Sequence, residues 1–106
     1  MEIWLVSLND AMGHEESGSR PAIVISTHAQ TKLCTVIPFT KHAEASRFPY
    51  THQIECSHAN GLSCDSVALV FQIRNLTFER FIQRLGILEE AHFQQILILL
   101  KKHLNL

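Results

Sequence analysis

Gly13-His14-Glu15-Glu16-Ser17-Gly18-Ser19-Arg20-Pro21 is the stretch from which this chain is best read. It holds two of the four glycines, so its backbone is free to bend tightly. Between and beside them stand His14, Glu15, Glu16, two serines and Arg20, a density of donors and ionisable groups found nowhere else in the sequence. Glu2-Ile3-Trp4-Leu5-Val6-Ser7-Leu8 precedes it and Ala22-Ile23-Val24-Ile25-Ser26 follows it, both apolar and strand-like. A polar, glycine-hinged loop between two buried strands is a common way for a rigid scaffold to present functional groups. Composition alone also allows an ordinary hairpin loop with Arg20 in a surface ion pair.

Working outward, the 106 residues suit one domain, residues 1–106, with 46% hydrophobic residues to build a core and little to spare. No apolar run approaches a membrane span and no signal peptide is evident, so a soluble cytoplasmic protein is expected, with no membrane contact. Three cysteines, an odd number without C-x-x-C, argue for idle thiols rather than a disulfide framework or zinc site. The seven histidines are scattered singly, without H-x-H or H-E-x-x-H spacing; no metal and no cofactor are expected. A net charge of −1 gives no basic footprint, so any contact with nucleic acid must be a local patch.

The hydrophobic pattern predicts strands first and a helix last. Strands are expected at 2–8, 20–27, Leu33–Phe39, Phe48–Glu55 (Pro49 marking an edge or bulge), Ser66–Ile73 and, after a short helical turn capped by Thr77, Gln83–Ile87. Lys41–Ser46 reads as loop and His58-Ala59-Asn60-Gly61 as a turn. Over Glu89–His103 the period becomes helical, with Phe93, Ile96, Leu97, Leu100 and Leu104 in one stripe, and Ile98 and Leu99 making it apolar almost all round. Acidic residues at its start and lysines near its end suit the helix dipole. The fold class is mainly β (α+β): a small, strongly bent sheet or partly open barrel closed by a C-terminal α-helix.

Several pieces then appear in a telling order: Glu2-Ile3-Trp4-Leu5-Val6, the Gly13–Ala22 element, Val36-Ile37-Pro38-Phe39-Thr40, Asp65-Ser66-Val67-Ala68-Leu69, Gln72-Ile73-Arg74 and Arg84-Leu85-Gly86. Together they resemble the MazF/PemK (Kid-like) family of toxin–antitoxin toxins, from residue 2 into the last helix. The G-H-E-x-x-G-x-R-P element is the specific part. The resemblance implies an SH3-like barrel with a C-terminal helix, a homodimer, and metal-independent, sequence-specific cleavage of single-stranded RNA such as mRNA. It also implies a cognate antitoxin whose tail covers the RNA groove.

The expected catalytic set is Arg20, Thr40 and His14: the resemblance pairs the arginine with the threonine, and His14 joins them because it stands in the same loop as Arg20. Arg20 can donate two hydrogen bonds to phosphoryl oxygens and stabilise developing charge. The Thr40 hydroxyl can fix the phosphate for in-line attack, although a strand-end hydroxyl bonded to backbone is the plainer reading of that residue. His14 titrates near neutral pH and can carry a proton. Glu15, Ser17, Gly18, Ser19, Lys41, Phe71, Gln72 and Arg74 are the expected RNA contacts, while Phe48 and Tyr50 either stack bases or fill the core.

One departure stands out. Relatives tend to carry an acidic or amide residue where this chain has Phe71, and some carry arginine where it has Leu69. Alternation would put both on one face of a strand. Three readings follow: catalysis by Arg20 and Thr40 alone, a stacking role for Phe71, or a weakened or inactive member. Two rivals from other classes are a CcdB-like protein-binding inhibitor of DNA gyrase, which needs no arginine–threonine phosphate site, and a catalytically dead interaction module.

Overall fold

Alternating side chains on three long apolar strands give this protein a sheet that is dry on both faces. The computed structural model describes residues 1–8 and 18–106. Its strands are β1 (Glu2–Ser7), β2 (Ser19–His28), β3 (Leu33–Thr40), β4 (Thr51–Ile54), β5 (Ser66–Leu69), β6 (Arg74–Thr77) and β7 (Phe81–Ile87), followed by helix α1 (Glu90–His103). Short 3-10 turns occupy Ala43–Arg47, Val70–Gln72 and Phe78–Arg80. All pairings are antiparallel, in the order β4-β5-β3-β2-β1-β7, with β6 also on β3.

Period-two alternation explains the two cores. Ile3, Ile23, Ile37 and Phe39 face one side, where Ile54, Ala68, Val70, Leu88 and Ile96 join them. Val6, Ala22, Cys34 and Val36 face the other, closed by Leu76 and flanked by Trp4 and Phe81. Register shifts between Ile3 and Trp4, between Leu5 and Val6, and between Val24 and Ser26 add the irregularities that bend a sheet.

Strand β3 is the hub. Along one edge it pairs with β2; along the other it pairs first with β6 (Leu33↔Thr77 to Val36↔Arg74) and then with β5 (Phe39↔Ala68, Thr40↔Val67). The continuous strand expected at Ser66–Ile73 is therefore two strands joined by a turn. The Val70 N–H donates to the Tyr50 carbonyl at 3.0 Å, the last bond in register with β4, and the Ile73 N–H then closes a turn onto Val70 O at 3.2 Å. The fourth strand is shorter than expected because Pro49 is followed by Tyr50 at φ 61°, and the chain becomes extended only at Thr51. The expected 41–46 loop is partly the Ala43–Arg47 turn, and Thr77 makes no side-chain cap before the Phe78–Arg80 turn.

Helix α1 packs against the first core through Phe93, Ile96, Leu99 and Leu100. Burying Ile96 completely is worth about 1.5–3 kcal/mol. Leu104 lies past the helix end and is half exposed, as is Ile98, so the helix is less completely enclosed than its all-round apolar composition suggested.

A histidine pair joins the helix to β4. His52 Nε2 and His92 Nδ1 stand 2.9 Å apart, so one ring donates and the other must be neutral to accept. Burial, then the charge of His92, holds the His52 pKa below its ordinary value of about 6.5. Below about pH 6.5 the unfolded chain therefore binds more protons than the folded one, and stability falls with pH. Glu89, held below the usual carboxylate range first by the Ser57 hydroxyl, loses its contribution only at more acid pH. The melting temperature should drop between pH 7 and pH 5, and His52→Gln should flatten that drop. Melts of both proteins across this range check it; a pH-independent wild type would contradict it.

Candidate functional site

Two strand ends meet at the site. The last paired position between β2 and β3 toward that end is Ala22↔Pro38, and Arg20 and Thr40 each stand two residues beyond it. By alternation they fall on one face, and both line the same clefts. Arg20 is half-buried on β2, opposite Val6 of β1, and so does not lie on the exposed loop that the sequence suggested. Thr40 is 8% exposed, and its Oγ1 accepts the His42 backbone N–H at 3.3 Å. That bond uses the oxygen as acceptor and leaves the hydroxyl hydrogen available to donate toward the cleft.

One cleft, of about 290 Å³, is walled by Leu5, Ser19, Arg20, Pro21, Thr40, Lys41, His42, Ser63 and Ser66 among others. A second, of about 300 Å³, shares Arg20, Thr40 and His42 and extends past Glu44, Arg47, Phe48, Leu69, Phe71 and Gln72. Beyond the first lies a more acidic cleft that shares Lys41 and Ser66 and adds Gln53, Glu55 and Asp65. Beyond the second lies an aromatic one that shares Phe48, Phe71 and Gln72. The shared walls make these four clefts one groove, with Arg20, Thr40 and His42 near its middle.

Charge is graded along it. Arg20, Lys41 and Arg47 place cations around the centre, and the Arg47 guanidinium lies 5.8 Å from the Phe48 ring centroid, as a cation–π contact requires. At the acidic end Asp65 accepts the Cys56 backbone N–H at 2.9 Å, which holds its carboxyl below the usual range and keeps it anionic. Chemically, a guanidinium and a hydroxyl converging on a cleft of this size suit a phosphate, with an imidazole beside them.

Of the residues expected from sequence, Ser19, Arg20, Thr40, Lys41, Phe71 and Gln72 come together along this groove, and Gly18 is exposed next to it in sequence. His14, Glu15 and Ser17 lie outside the described residues. Arg74 is exposed where β6 opens opposite Val36, two residues from Gln72, and does not itself line these clefts. Leu69 and Phe71 do share a wall, but Phe71 sits on the Val70–Gln72 turn and not on a strand, half-buried against solvent and not in the core. Sequence reasoning passed over His42 and weighed Arg47 only as a surface cation able to contact phosphate. The only local signal for His42 is its place two residues after Thr40. Among the described residues no group of three His, Cys, Asp or Glu side chains is arranged to hold a metal ion, and no helix is long and apolar enough to cross a membrane.

Residues 1–104 match the protein family described as PemK-like, MazF-like toxin of type II toxin–antitoxin system. The chain is 33% identical to Endoribonuclease MazF9 of Mycobacterium tuberculosis, the match covering 99% of this chain and 94% of that protein. Among solved structures, MazF of Deinococcus radiodurans superposes with a TM-score of 0.75 at 27% identity, over 99% of this chain and 93% of that one. A mycobacterial endoribonuclease solved with its cognate antitoxin gives 0.74 at 18% identity, over 99% and 92%; at that identity the likeness is one of fold.

Proposed function

Because this chain belongs to the PemK-like, MazF-like toxins of type II toxin–antitoxin systems, we propose that it is an endoribonuclease that cuts single-stranded RNA in the groove centred on Arg20 and Thr40. The observation that carries this reading is the convergence of that guanidinium and that hydroxyl on one cleft from two adjacent strands. A gyrase-binding surface has no use for such a pair.

In the proposed reaction the ribose 2′-oxygen attacks the adjacent phosphorus while its proton passes to a base. Arg20 donates to the non-bridging oxygens as their charge grows. Thr40 holds the same phosphate in line with the attacking oxygen. The bond to the 5′-oxygen then breaks, and that oxygen leaves with a proton. The products are a 2′,3′-cyclic phosphate and a 5′-hydroxyl. His14 is the proton carrier that the chemistry of its loop suggests, and His42 is the imidazole found in the groove. pH–rate profiles of His14→Ala and His42→Ala assign the role, since loss of the acidic limb marks the base.

The reading extends to one toxin domain over residues 1–106, working in the cytoplasm as a homodimer and held inactive by a cognate antitoxin laid over the groove. Half-exposed Ile98 and Leu104 and the largely exposed Leu106 supply apolar surface for such contacts. The test is incubation of the purified protein with a long unstructured RNA in EDTA, followed by mapping of both new ends. Cuts at a short recurring sequence, with a cyclic phosphate on one side and a 5′-hydroxyl on the other, are expected. No cleavage, or cleavage only on adding a divalent ion, would overturn the assignment.

A further inference from the structure

At one end of the groove is an aromatic pocket of about 480 Å³, lined by Phe48, Pro49, Tyr50, Phe71, Gln72 and His103, within the range of roughly 300–1,000 Å³ typical of small-ligand sites. We infer that it is a base-binding subsite, which takes one unstacked nucleobase of the RNA strand whose phosphate lies on Arg20 and Thr40. The inference rests on the RNA-cleaving reading and adds to it which residues set sequence preference.

Five observations support a base as the occupant. Phe48 and Phe71 stand edge to face, with ring centroids 6.3 Å apart and planes at 67°, so together they present a flat π-face and a perpendicular wall. Tyr50 and His103 bring two more rings, with centroids 5.2 Å apart. Phe48, Phe71 and Gln72 wall this pocket and the phosphate cleft at once, so a strand seated on Arg20 places a neighbouring base here without leaving the groove. Arg47, over the Phe48 ring and facing that cleft, supplies positive charge for the backbone next to the base. Gln72, exposed on the shared rim, carries both a donor and an acceptor for a base edge. A flat ring among aromatic faces with phosphate on the cationic side is the arrangement single-stranded nucleic acid requires.

The test uses an RNA carrying the mapped cut sequence, 2′-O-methylated at the attacking ribose so that it binds without being cut. Phe71→Leu and Phe48→Leu keep apolar bulk and remove a stacking plane; each should weaken binding by about ten- to a hundredfold. On the wild-type protein, an abasic substitution at one position near the cut should cause a similar loss, and Phe71→Leu should add little to it. Melting curves accompany the titrations, and Phe48→Leu and the abasic series decide the matter if Phe71→Leu fails to fold. Unchanged RNA affinity in both variants would overturn the subsite, as would losses that simply add to those of every abasic position. So would sedimentation in which the variants lose self-association while RNA affinity per folded molecule is kept, since that assigns the pocket to a second copy of the chain. A wild type that neither binds nor cuts RNA overturns the function itself, a distinct result.

Discussion

Replacing Arg20 by alanine should slow RNA cleavage by about a hundredfold or more, because it removes the donors aimed at the oxygens on which charge develops. The effect should fall on the rate of the bound complex more than on binding, since Lys41 and Arg47 still line the neighbouring walls of the groove. Arg20→Lys should recover only part of the loss: an ammonium keeps the charge but cannot present two parallel donors to a phosphoryl group. The fold should survive either change, because β2 is held at this end by backbone pairing to β1, including Val6↔Arg20, which the arginine side chain does not supply. Single-turnover cleavage and a thermal melt on the same samples check both halves. An Arg20→Ala protein that melts normally and cleaves at the wild-type rate would remove the guanidinium from the mechanism.

The second large effect is on stability, and it comes from Asn60. This side chain is fully buried and uses both ends. Its Oδ1 accepts the backbone N–H groups of Ser57 at 3.0 Å and Leu62 at 3.1 Å, while its Nδ2 donates to Glu55 O at 3.0 Å and Glu89 Oε1 at 3.1 Å. Glu89 in turn accepts the Ser57 hydroxyl at 2.5 Å, immediately before α1 begins. One amide thus ties the loop after β4 to the start of the helix. Asn60→Ala would take the partner from two backbone donors and a carbonyl at once, the Leu62 N–H among them being buried. It should destabilise the protein by about 3–5 kcal/mol, a fall in melting temperature on the order of 15 °C. Asn60→Asp keeps the acceptor but loses the donor and sets a second carboxylate against Glu89, so it should be nearly as harmful. The next residue, Gly61, sits at φ 71°, where a Cβ would come 2.0 Å from the Leu85 carbonyl oxygen, so this turn accepts no side chain there. An Asn60→Ala protein melting within a few degrees of wild type would show the network to be dispensable.

These two residues also mark how far sequence carries. The alternation of β1, β2 and β3 is local, and it located those strands to within a residue or two. The end of β5 is not local: Ser66–Ile73 reads as one run, and it is cut where the Ile73 N–H closes a turn onto Val70 O, beside Tyr50, whose positive φ no pattern announces. Asn60-Gly61 reads correctly as a turn, yet nothing in it says that the asparagine is buried. Arg20 and Thr40 are each unremarkable alone; they were legible only through the family resemblance, and their convergence depends on the β2–β3 register. Arg74, part of the same resemblance, opens β6 as an exposed residue and lines none of the groove's clefts. His42, Arg47 and the Phe48–Phe71 pocket arise where the 3-10 turns at 43–47 and 70–72 meet, which is a property of the fold and not of either segment.

The measurement that bears most directly on where this protein meets RNA is an amide and side-chain NMR titration with the uncleavable 2′-O-methylated strand. Binding in the groove should shift Ser19, Arg20, Thr40, His42 and Phe71 together, with little change at Trp4, Phe78 and Phe81, which line a separate cleft. Shifts confined to that separate cleft, with Arg20 and Thr40 unmoved at saturation, would place RNA recognition elsewhere and contradict the assignment of this site.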